Sequence, residues 1–147
     1  MTNKIYAGPA GMFTSPLEVE GKAVDAFLPG TLLKRTASGL ETSDIAATAF
    51  NSELLVAKEI EQSQGGTITT PVTIGDTAEG IKVRSGEMVY AFVAAGNNIT
   101  AKGLGLASNG DGTLKLAAAD DSEQVLFNAE QVINVTGSAQ LVLVSAK

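Results

Sequence analysis

The chain contains no cysteine and no histidine. The first absence excludes disulfides, thiolate metal sites and cysteine nucleophiles. The second removes the commonest general base and the commonest transition-metal ligand. Tryptophan is also missing and aromatic residues make up only 5%, so a core has to be built from Val, Ile, Leu and Ala. Charged residues reach only 18% and no run of eighteen apolar residues occurs, which argues against both a disordered chain and a membrane-spanning helix. Basic residues are outnumbered ten to sixteen, for a net charge of −6, and the only adjacent basic pair is Lys34-Arg35. A nucleic-acid binder needs a basic stripe to neutralise phosphates, and an anionic membrane surface attracts the same stripe. Neither partner is expected. The start, Met1-Thr2-Asn3-Lys4, leads into no apolar signal region, so the expected compartment resembles a cytoplasm.

What is plentiful is glycine, with 16 residues, and short apolar runs between turns. The first 28 residues carry Gly8-Pro9, Gly11, Ser15-Pro16 and Gly21, a punctuation too dense for a helix. Between these lie isolated apolar residues, among them Tyr6, Met12, Phe13, Leu17 and Phe27. The pattern predicts an extended N-terminal arm over 1–28, able to span roughly 100 Å when stretched, with those five residues as its anchors; a loop folded back on its own domain is the alternative. A single β-rich domain is expected over 29–147.

From Pro29-Gly30 onward the signals are those of strands. Thr31 to Arg35, Glu53 to Ile60 and Thr67 to Ile74 are strand candidates, the second open also to a short buried helix, and the last placed at an edge or a break by Pro71. Glu41 to Phe50 reads equally as a helical turn or an irregular connection. Ile81 to Arg84, Met88 to Val93, Ile99 to Lys102 and Thr113 to Leu116 follow, separated by Ser85-Gly86, Gly96-Asn97-Asn98 and Asn109-Gly110-Asp111-Gly112. A short helix or bend is expected near Asp120–Gln124, then strands at Gln131–Val135 and Gln140–Val144. Turns at such regular spacing favour an all-β barrel or sandwich.

Chemistry finds little support. Asn109-Gly110-Asp111-Gly112 resembles part of a calcium loop, but the residues leading to Asp120 at position twelve include Leu114 and Leu116, which belong to a strand. Gly103-x-Gly105 lacks the third glycine of a dinucleotide fingerprint, and no Gly-Lys-Ser/Thr cradle exists. The acidic cluster Asp120-Asp121 with Glu123 sits in a polar segment and reads as a turn or helix cap. The hydroxyl side chains have no histidine to activate them. No catalytic residue, metal or cofactor is expected, and the chain reads as a non-enzyme.

The order of motifs adds a resemblance. Pro29-Gly30-Thr31-Leu32-Leu33, Leu54-Leu55-Val56-Ala57, Gly65-Gly66, Gly75-Asp76 and the stretch Gly86 to Ile99 occur in series. They continue through Lys102-Gly103-Leu104-Gly105-Leu106, Asn109 to Leu114, and the pair of strands from Ala129 to Val144. This series, covering roughly residues 29–145, is similar to the capsid decoration, or cement, proteins of tailed bacteriophages, the lambda type included. The resemblance implies a small β-barrel or β-tulip-like domain on the exterior of the expanded head, assembled in the host cytoplasm. It also implies the major capsid protein as partner, self-association as a homotrimer, and an arm that adds a strand to capsid subunits. Other virion β-domains (a head fibre base, a tail or baseplate component) and a non-catalytic carbohydrate- or peptide-binding module are the alternatives.

Overall fold

The structure, a computed structural model, describes residues 4–8, 16–60 and 66–147. In its first half the strands are β1 (Tyr6–Gly8), β2 (Leu17–Lys22), β3 (Leu32–Thr36), β4 (Gly39–Thr42), β5 (Leu55–Ala57) and β6 (Thr77–Lys82). The second half carries β7 (Met88–Val93), β8 (Asn98–Ile99), β9 (Gly105–Ser108), β10 (Leu114–Leu116), β11 (Phe127–Ala129), β12 (Ile133–Asn134) and β13 (Gln140–Ala146). The one helical element among the described residues is a single 3-10 turn, Ala47–Ala49. The expected all-β architecture is what the chain adopts.

Five strands close into a barrel in the order β7-β10-β9-β11-β13, with β13 returning to β7 along six paired residues, Gln140 opposite Val93 through Ser145 opposite Met88. All neighbours are antiparallel except β10 and β7, which run parallel and pair at Leu114 and Val93. Side chains alternate between the faces of a strand. Val89, Ala91 and Val93 of β7 and Val142, Val144 and Ala146 of β13 therefore point inward, joining Leu106, Leu114 and Phe127 to fill the barrel. The two-residue pairing of β12 with β8 lies alongside, and Ile99 and Val135 extend the same core.

The second sheet, β2-β6-β5-β3-β4, is antiparallel throughout and rolls until its edges meet. Ala23 bridges to Leu40, and the Val24 N–H donates to the Leu40 carbonyl at 2.8 Å. Gly39 permits this closure. Its φ is +142°, and a Cβ there would lie 2.0 Å from the Lys22 carbonyl oxygen. The rolled sheet encloses a second core of Phe27, Leu33, Leu40, Leu55, Ala57 and Val72 with smaller neighbours. Leu32, Val56 and Ile81, on the opposite face of the same strands, enter the barrel-side core. A wall buried on both sides is apolar at consecutive positions, which is why Leu32-Leu33 and Leu55-Val56 show no alternation.

Several expectations are corrected. The described parts of residues 1–28 do not stand off the body. β1 pairs with β7, and β2 pairs with β6 over six residues, Leu17 opposite Lys82 to Lys22 opposite Thr77. Proline and glycine rule out a helix there but not strands, and each strand borrows its core from its partner. The strand expected over Glu53–Ile60 shrinks to β5, and Thr67–Ile74 forms turns with one isolated bridge, Val72 to Phe27. Asp120–Gln124 takes the second of its two expected forms, a bend, with Asp121 at φ +59°, while β11 lies where no strand was anticipated.

Candidate functional site

The charged residues are mostly engaged with one another. On the second sheet Lys34 bridges Glu41 (2.9 Å) and Asp44 (2.7 Å), and Lys58 bridges Glu18 (2.6 Å) and Glu79 (3.3 Å). Glu53 binds both Arg35 and Lys82, and Lys115 binds Glu123. Exposed pairs of this kind add little stability, but they neutralise the cations that could have formed a basic surface.

The acidic cluster is a turn. Asp120 accepts from the N–H and hydroxyl of Ser122, and Glu123 accepts from Lys115 and from the Ala118 N–H. These bonds hold both carboxyls below their ordinary values, so the two are not pushed apart into an acid and a base. Asn109 to Gly112 turns β9 into β10, where Asp111 accepts from the Thr113 N–H at 3.0 Å. Among the described residues no group of three or more Asp or Glu side chains could hold a metal ion.

Among the described residues two carboxylates are buried, and the sequence did not single them out. Glu87 accepts from the Arg84 N–H at 2.9 Å, from its Nε at 2.6 Å and from its Nη2 at 3.1 Å. Burial pushes the Glu87 carboxyl up, but the Arg84 bonds outweigh it and hold the group below its ordinary value. The Tyr6 hydroxyl lies buried against the same carboxylate in a contact that falls short of a well-formed hydrogen bond; burial and then Glu87 raise its pKa. Glu59 accepts from the Ile5 N–H at 3.0 Å. Both carboxylates thus face β1.

One open feature of the surface is apolar. On the outside of the barrel, Tyr90 sits opposite Leu143 and Phe92 opposite Leu141. With Leu28 and Ile68 they line an open concavity of about 700 Å³, edged by Glu130, Gln131 and Gln140. A second hollow of about 600 Å³ continues past Leu28 and Phe92 to Phe27 and Pro71. Gly30 holds the wall close, since a Cβ there would lie 2.3 Å from Leu141 Cδ2. At the edge, polar side chains cover backbone groups or each other. Gln131 accepts from the Leu143 N–H, and Glu130 from the Ser145 hydroxyl. The arrangement offers shape and apolar contact rather than reacting groups.

The five residues expected as anchors are distributed differently. Tyr6 is half-buried in β1, and Leu17 opens β2 with 47% of its surface exposed. Phe27 is 6% exposed and belongs to the second core, so it is not a free surface anchor. Met12 and Phe13 lie outside the described residues. The face formed by Tyr90, Phe92, Leu141 and Leu143 was missed, although Met88 to Val93 is apolar at all six positions, and a strand apolar on both faces is contacted on both.

No protein-family model matches the chain, and no curated protein is significantly similar to it in sequence. Among solved structures, the chain is similar to the N base of the head fiber protein gp8.5 of bacteriophage phi29. The TM-score is 0.55 at 16% identity, with 90% of this chain and 95% of that one covered, so that the two share a fold.

Proposed function

We propose that the chain is a structural protein of a tailed-phage virion, a cement protein that sits on the exterior of the expanded head and joins neighbouring major capsid subunits. The observation that carries this reading is the fold shared along 90% of the chain with the N base of a phage head fiber protein. The open apolar face around Tyr90, Phe92 and Leu141, with Leu28 beside it, supports it as a docking surface. A homotrimer, the state implied by the motif resemblance, multiplies such contacts, so modest affinity per site suffices through avidity. Assembly takes place in the host cytoplasm. No nucleic acid, membrane or cofactor enters this reading.

The same fold likeness favours a second reading, in which the chain is the base of a head fibre and carries a distal part rather than bridging subunits. Co-sedimentation with expanded and unexpanded heads, followed by electron microscopy, tests both. Binding to expanded heads at sites between subunits is expected. Density only at the foot of a projecting fibre would replace the first reading with the second, and no binding to heads would overturn both.

A further inference from the structure

Residues 4–8 occupy a slot built entirely by distant parts of the chain. Ile5 is fully buried, its carbonyl accepts from the Tyr90 N–H at 2.8 Å, and its own N–H donates to Glu59 at 3.0 Å. Tyr6 lies opposite Val89 and Gly8 opposite Met88, and the Tyr6 hydroxyl rests against buried Glu87. The slot therefore has an open strand edge, an apolar hole for one anchor and a fixed acceptor for a main-chain N–H. Those are the parts of a site that takes an extended peptide by strand addition. Among the described residues β1 pairs with no strand other than β7, and eight residues, 9–16, lie between it and β2.

We propose that β1 is an exchangeable strand, and that the slot accepts residues 4–8 of a second copy of this chain, interlocking the two. Every bond made within one copy forms again between copies, so the exchange sacrifices no contact. What favours the closed form is the effective concentration of a tethered strand, on the order of millimolar. Local crowding of copies on a surface therefore shifts the balance toward exchange. The exchange does not depend on what the protein docks on.

The test uses the full chain with a protease site inserted between Gly11 and Met12. After cutting, the nicked protein is mixed with a fluorescein-labelled peptide of residues 1–11, and anisotropy is followed. The wild-type peptide is expected to enter and displace the resident fragment, while a peptide carrying Ile5→Asp binds at least about tenfold more weakly, because a charge enters an apolar hole. Equal behaviour of the two peptides, or a resident fragment that never exchanges, overturns the proposal. A second measurement needs no nick. The intact chain is refolded at about micromolar and about millimolar concentration and sized by light scattering. Interlocked oligomers are expected only from the concentrated sample and are absent for Ile5→Ala; a monomer from both samples overturns the proposal.

Discussion

At the scale of single residues, the telling feature is a carboxylate with no exposed surface in a chain without histidine. Glu87 is buried and held below its ordinary pKa because the bonds from Arg84 outweigh the cost of burial. A group depressed in the folded state stabilises above its unfolded pKa, roughly 4.3 for Glu, and loses that contribution as pH falls through the folded value. Glu87→Gln is expected to cost about 1–3 kcal/mol at neutral pH, with the gap to the wild type closing below about pH 4. Thermal melts of both proteins between pH 7 and 3 measure it. A gap that stays constant across that range would show that the charge is not what Arg84 recognises. Position 87 was not legible in the sequence, since Ser85-Gly86-Glu87 reads as an exposed turn, and only the return of β1 and β13 over it produces the burial.

Among the elements, β7 and β13 were anticipated nearly to the residue because both are short apolar runs, rich in β-branched and aromatic or aliphatic residues, that flank strong turns. The segments that misled share a cause. Thr67 to Ile74 has β-branched residues at strand spacing, yet Thr67, Thr69 and Thr70 hydrogen-bond one another's side chains and amides in a local turn. β11 spans only Phe127–Ala129 and owes its pairing to β9 and β13, which no local pattern reports. The closure of β4 against β2 was equally hidden, since it depends on Gly39 approaching the Lys22 carbonyl. Gly39→Ala is expected to destabilise the fold by at least about 3 kcal/mol, combining an unfavourable φ with a clash against backbone. Urea denaturation gives the value, and a loss under about 1 kcal/mol would mean that the two edges do not hold each other.

At the scale of the whole molecule, the two rolled sheets share one wall and leave the β7–β13 side of the barrel as the open apolar surface. Leu28 stands at the junction of its two hollows with 39% of its surface exposed, whereas Ile74 is 71% exposed and lines neither. Leu28→Asp and Ile74→Asp should each change stability by less than about 1 kcal/mol, as exposed substitutions do. Their effects on head binding should differ. An anchor in the middle of an apolar contact is worth about 2 kcal/mol or more, so Leu28→Asp is expected to weaken co-sedimentation with expanded heads by at least about tenfold, and Ile74→Asp to leave it unchanged. Ionic strength supplies an independent check. At least six of the ten basic residues (Lys34, Arg35, Lys58, Lys82, Arg84 and Lys115) are already ion-paired within the chain. Docking through the apolar face should therefore vary by less than about threefold between roughly 50 and 500 mM salt, over which exposed charges are progressively screened. A steep loss of binding with salt, together with an unaffected Leu28→Asp, would transfer the contact from the barrel's apolar side to the charged, ion-paired surface of the second sheet.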